Sequence, residues 1–245
     1  MSRGLTMKLA ILSDLHAVAD TTERALEAAR TEGFDRLIIL GDILTYGVQP
    51  KRTLDLVSNA VARDNAILIL GNHDQLYLDL DKGETGYYDR LNEWIRESVD
   101  WTRAQLEPRC LDALPWRESW ASGQLFVAHA NPYDYGDWTY LRTDQELGWA
   151  CRILAKRDFR WGVFGHTHRA VRLDKGDETA ATIGSLGQPR DRKDRRPQWA
   201  VVEFDDDVFK LEARPVEFDV KQHLAEIAAT SMGAKTKERL AMFFQ

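Results

Sequence analysis

The sequence predicts an α/β fold: a four-layer α/β/β/α sandwich of two mixed β-sheets flanked by helices, with a helical insertion. Three observations predict it. Short apolar runs alternate with amphipathic helical patterns from Lys8 to Leu70. The runs Leu37–Leu40 and Ala66–Leu70 are continuous rather than alternating, as in strands covered on both faces. Toward the C-terminus several short strands follow one another, which implies a second sheet packed on the first.

The elements follow in order. Lys8–Ser13 reads as a strand, and Thr22–Glu32 as an amphipathic helix closed by Gly33. Arg36–Leu40 is the second strand. Pro50–Arg63 is a helix with proline in its first turn, where the missing N–H does no harm. Ala66–Leu70 is the third strand. Beyond Asp74 the rhythm breaks. Tyr87–Leu106 reads as one long helix rich in Trp, Arg and Glu, inside an insertion spanning about 75–120. Strands resume at Gln124–His129, then a helix from Asp144 to Lys156, then a strand at Trp161–Phe164. Ala170–Leu173, Thr179–Ile183, Gln198–Phe204 and Val208–Ala213 read as short strands, with a turn at Asp205–Asp207. A final helix is expected near Val220–Thr230. The expectation is a single domain over 1–245, with Met1–Met7 a short tail.

Composition bounds the function. A chain of 245 residues can build a core without a metal or disulfide to hold it. Its net charge of -6 disfavours nucleic acid and anionic membranes as general partners. The two cysteines, Cys110 and Cys151, form no C-x-x-C pair and are too few for a disulfide framework. They are expected to be reduced thiols in a cytoplasmic protein. No run approaches the ~18 apolar residues of a membrane span, and the start lacks a signal-peptide pattern.

The chemistry lies at the ends of strands. Asp14-x-His16 follows the first, Gly41-Asp42 the second and Gly71-Asn72-His73-Asp74 the third. His129 ends a fourth, and Gly165-His166-Thr167-His168 follows a fifth. Ligands in open α/β sheets bind at that edge. Five of the six histidines fall there, and His223 alone lies elsewhere. Carboxylate oxygen and imidazole suit Mn, Fe, Zn, Co or Ni. Two such ions about 3.5–4 Å apart can clamp a phosphoryl group and generate hydroxide from a bound water. Asp42 is placed to bridge them. The glycines let the backbone turn and approach closely.

These five segments, in this order, closely resemble the calcineurin-like metallophosphoesterase superfamily. The resemblance implies two divalent metal ions. Asp14, His16 and His168 would hold the first, and Asn72, His129 and His166 the second, with Asp42 between. It makes His73 the proton donor to the leaving alkoxide. It implies attack by a metal-bridging hydroxide on the phosphomonoester or phosphodiester of a small molecule or nucleotide. The segment Gly184–Asp191 also resembles one common in small bacterial members, and Arg190 would face an anion there.

Departures from the family pattern narrow the reading. Thr45 and Tyr46 stand where protein phosphatases of the superfamily carry Asp and Arg. The phosphate-gripping arginines are missing, and so is the carboxylate that would orient His73. A phosphoprotein substrate is therefore disfavoured. Tyr46 is either packing or pocket lining. Asp74 is expected beside a ligand histidine rather than as a loop cap, and could take over orienting His73. Tyr87, Tyr88, Trp94 and Trp101 are expected in the core; Tyr133, Tyr135 and Trp138 follow His129 closely enough to meet substrate. The basic run from Arg190 to Arg196 reads as a solvated loop. His223 is expected to have no catalytic role. The alternatives are a non-catalytic scaffold, which predicts an eroded ligand set, and a nuclease, which predicts a DNA-contact domain.

Overall fold

The computed structural model describes residues 6–191 and 194–245. Of the basic run, Arg192 and Lys193 lie outside the described residues, as do the first five residues of the expected tail. The elements are β1 (Met7–Leu12), α1 (Ala19–Glu32), β2 (Arg36–Ile39), α2 (Pro50–Asp64), β3 (Ile67–Ile69), α3 (Asn72–Asp81), α4 (Glu93–Arg103), β4 (Trp116–Arg117), β5 (Ser119–Ser122), β6 (Leu125–Ala128), α5 (Asp144–Lys156), β7 (Trp161–Phe164), β8 (Val171–Lys175), β9 (Glu178–Thr182), β10 (Gln198–Phe204), β11 (Phe209–Pro215), α6 (Val220–Ala229) and α7 (Ala234–Ala241).

Two mixed sheets form, in the orders β11-β10-β1-β2-β3-β4 and β5-β6-β7-β9-β8. Alternate residues of each central strand face opposite layers. In β1, Leu9 and Ile11 join Val127 and Val163 of the other sheet in the inner core. Ala10 and Leu12 instead meet Leu26 of α1 and Val57 of α2. The second sheet packs outward on Leu147 and Leu154 of α5. Both faces are covered, which is why these strands read as unbroken apolar runs. The four-layer sandwich is as expected.

The structure differs from the expectation in four places. The segment Tyr87–Leu106 is a 3-10 turn at Tyr88–Arg90 followed by α4, rather than one helix. Asn92 breaks the run, sitting in extended conformation as the N-cap of α4. A separate helix, α3, begins at Asn72 itself. Near the end of the expected insertion the chain joins β4 to the first sheet and β5 to the second, crossing between sheets at Glu118. These strands are too short to leave a periodic signal. The expected final helix is followed by another, α7.

His223 of α6 is fully buried between the rings of Phe218 and Phe244, at 5.8 and 4.7 Å. Neither ring nitrogen has a hydrogen-bond partner among the described residues. Burial lowers its pKa from 6.5 to about 4. No helix among the described residues is long and apolar enough to cross a membrane.

Candidate metal centre

The strand ends deliver their side chains by strained turns. Asp14, His16, Asp42, His166 and His168 all sit at positive φ, between 43° and 59°. Such conformations cost roughly 1–3 kcal/mol each outside glycine and persist where surroundings enforce them. Two glycines permit the close approach. A Cβ at Gly71 would lie 2.3 Å from Asp42 Oδ1, and one at Gly165 would lie 1.9 Å from Ser13 Oγ.

All seven predicted ligands converge. Asp14, His16, Asp42 and His168 form one group whose ligand atoms lie within 4.8 Å of one another. Asp42, His129 and His166 form a second, so Asp42 belongs to both. Asn72 joins the second group, its Oδ1 3.1 Å from His129 Nε2. All seven are buried.

The histidine tautomers are fixed by backbone carbonyls, which can only accept. His16 Nδ1 donates to Leu44 O at 3.0 Å, and His168 Nδ1 to Gln188 O at 2.8 Å. His129 Nδ1 donates to Leu40 O, and His166 Nε2 to Trp138 O at 2.9 Å. In each neutral ring the other nitrogen then carries a lone pair. His16 Nε2 and His168 Nε2 face each other at 3.2 Å, both as acceptors. His168 Nε2 also lies 3.2 Å from Asp14 Oδ1, a buried oxygen with no hydrogen-bond partner among the described residues. Facing lone pairs and an orphaned carboxylate oxygen repel unless a cation lies between them. The donor set therefore fits divalent metal.

The other oxygens are held in place. Asp14 Oδ2 accepts from Ser13 Oγ at 2.6 Å and from His166 N at 3.1 Å. Asp42 Oδ1 accepts from His73 N at 2.8 Å, at the amino end of α3. Asn72 Nδ2 donates to Tyr87 Oη at 2.8 Å, which turns the amide oxygen toward the centre. Burial, reinforced by the neighbouring Asp14 charge, raises Asp42 well above the usual carboxylate range. Burial opposes ionisation of Asp14 too, but His168, His129 and His16 outweigh it and hold it low. Burial drives His16 and His166 well below 6.5. Neutral imidazole is the form that binds metal.

His73 is 5% exposed and stands between two hydroxyls. Thr45 Oγ1 lies 3.1 Å from its Nδ1 and 3.0 Å from Tyr77 Oη. Tyr46 Oη lies 3.2 Å from its Nε2. Thr45 thus occupies the place expected for the missing carboxylate. Its φ of 75° is strained for a β-branched residue and aims the side chain inward. A hydroxyl lacks the charge that would sustain an imidazolium. Burial, then His168, Arg190 and His129, take His73 down to about 3.

Asp74 departs from expectation. Its carboxylate accepts the backbone N–H groups of Asp42, Ile43 and Gly71 at 2.7, 2.9 and 3.0 Å. It fastens one ligand loop to the next and orients no histidine. Tyr46 is both packing and lining: its ring stacks on Trp94 at 5.6 Å. Arg190 is half-buried, its guanidinium bound to Gln188 Oε1 and lying over the Phe243 ring at 5.8 Å. Its charge acts on Asp42, His73 and His168. Thr45, Tyr77 and Tyr87 were not singled out for the centre from sequence; the absent carboxylate was the one signal for Thr45. Tyr140 was also missed, and its ring stacks on His166 at 4.0 Å.

The sequence model of the calcineurin-like phosphoesterase family matches residues 7–170. A Methanocaldococcus jannaschii protein described as uncharacterised is 26% identical, over 95% of this chain and 96% of its own. The crystal structure of a metallophosphoesterase from Sphaerobacter thermophilus is 25% identical with a TM-score of 0.73, covering 97% of this chain and 100% of that one. A hypothetical protein from Pyrococcus horikoshii OT3 shares the fold at 18% identity, with a TM-score of 0.79 over 95% of this chain and 97% of its own.

Proposed function

The chain belongs to the calcineurin-like phosphoesterase family, and on that premise we propose that it hydrolyses a phosphomonoester or phosphodiester of a small molecule or nucleotide, using two divalent ions. The observation that carries this reading is the pair of buried ligand groups sharing Asp42. Asp14, His16, His168 and Asp42 would hold one ion. Asp42, Asn72, His129 and His166 would hold the other. The donors suit Mn, Fe, Zn, Ni or Co. Bound ions supply Lewis-acid charge to the phosphoryl oxygens and lower the pKa of a water.

The chain's own groups supply the rest. Asp42 offers one carboxylate to both positions, and the His73 N–H fixes its orientation. Thr45 can donate to His73 Nδ1 while accepting from Tyr77, which leaves the ring proton on Nε2. That N–H faces Tyr46 Oη and is the hydrogen-bond donor available to the charge that builds on a departing oxygen. Arg190 adds positive charge at the rim. Overall, the oxygen of water joins phosphorus, the P–O bond to the alcohol breaks, and the alcohol leaves protonated.

Metal analysis with hydrolysis of bis(p-nitrophenyl) phosphate tests the reading. The expected result is turnover with Mn, Ni or Co that a chelator abolishes. Metal bound without turnover would favour a scaffold instead.

A further inference from the structure

A cavity of about 600 Å³ opens beside His129, between the 131–138 segment and Ser119 at the start of β5. Besides His129, its wall carries four rings, Phe126, Tyr133, Tyr135 and Trp138, and three carboxylates, Glu118, Asp134 and Asp137. Tyr135 and Trp138 meet edge-to-face at 5.4 Å, and Trp138 is edge-on to His129 at 5.8 Å. The cavity and the metal centre therefore share a border at His129 and Trp138.

The charge of this wall is net negative, three carboxylates against one guanidinium. Arg157 is that cation, and its Nη1 donates to Pro132 O at 2.8 Å, which positions the charge without cancelling it. Its guanidinium lies over the Phe126 ring at 4.3 Å. Among the described residues, Glu118, Asp134 and Asp137 enter no ion pair. Burial, and after it the negative charges of Asp74, Glu118 and Asp79, push the Tyr135 hydroxyl up. Carboxylates in a concave site concentrate cations, and aromatic faces attract them further. The same wall repels a polyphosphate.

We propose that this cavity is a subsite for an organic cation, a quaternary or protonated amine esterified to the phosphate. The proposal rests on the phosphoesterase reading above. The phosphoryl group takes the Asp/His cluster, and the cationic arm passes His129 and Trp138 into the cavity. For a monoester, the oxygen of water joins phosphorus, the P–O bond to the amino alcohol breaks, and the alcohol leaves with a proton.

The test compares a cation with its neutral carbon isostere. Choline and 3,3-dimethylbutanol are each titrated calorimetrically into the full chain without added metal. Choline is expected to bind at least about 10-fold more tightly, the scale of a partly desolvated cation–π contact. With Mn-loaded protein, kcat/KM for p-nitrophenyl phosphocholine should exceed that for p-nitrophenyl 3,3-dimethylbutyl phosphate by a similar factor. Asp134→Asn and Trp138→Leu should each bring both ratios toward one, with Glu118→Gln as a surface variant should either fail to fold. Equal binding of the two alcohols, or a preference for the isostere, overturns the subsite even if bis(p-nitrophenyl) phosphate is hydrolysed. Preferential choline binding with no ester hydrolysed counts against the phosphoesterase reading and leaves the cation site standing.

Discussion

The Asp74 carboxylate accepts the backbone N–H of Asp42 at 2.7 Å, so a residue on α3 sets the strained turn that presents the carboxylate common to both candidate metal groups. Asp74→Ala would leave three buried N–H donors unpaired, each worth about 1–3 kcal/mol. The expected loss is about 3 kcal/mol in urea unfolding, with metal affinity down by about 10–100-fold. An unchanged unfolding midpoint would show that the clamp contributes nothing.

Asp42→Asn keeps the shape and removes the charge between the two ligand groups. Activity on bis(p-nitrophenyl) phosphate should fall by more than about 100-fold, beyond the loss expected from an outer partner alone. Metal content should fall with it. Activity within a few-fold of the native protein would rule out the bridging role.

His73→Ala should lower rates on alkyl esters by roughly 100-fold or more, the scale of losing one donor to a developing oxyanion, and aryl esters much less. Thr45→Val should show the same bias at smaller size, since it removes the hydroxyl that holds Nδ1. In the His73→Ala background, Thr45→Val should add nothing, because the two act as one unit. Equal losses on both ester classes would remove the donor assignment.

His223 gives stability a pH dependence. Its folded pKa of about 4 lies below the unfolded 6.5, so protonation favours the unfolded chain. The stabilisation is complete above pH 6.5, declines as pH falls toward 4, and then levels off. Its size is about 3 kcal/mol. Carboxylates titrate in the same range, so the measurement is the difference between native protein and His223→Phe. Identical slopes in both would show that this ring does not titrate across unfolding.

The layered fold and the ligand set were legible because both leave repeating marks. Continuous apolar runs such as Leu37–Leu40 announce strands covered on both sides, and each ligand motif follows such a run. Contacts made by one hydroxyl leave no such mark. The pairing of Thr45 with His73 and Tyr77 depends on a turn at positive φ, which composition does not announce. The grip of Asp74 on three amides was equally hidden, since a carboxylate beside a histidine suggests a side-chain partner first. Strands as short as Trp116–Arg117 carry too few residues to reveal a period.

Every candidate metal ligand lies within residues 7–170, yet the wall behind Tyr46 comes from Ile227, Met232 and Leu240. Tyr46 Oη in turn lies 3.2 Å from His73 Nε2. A fragment ending soon after His168 would keep its full complement of candidate donors and lose the buttress behind the ring that touches His73. The polypeptide's last helices thus brace the candidate site from behind, though they add no ligand to it.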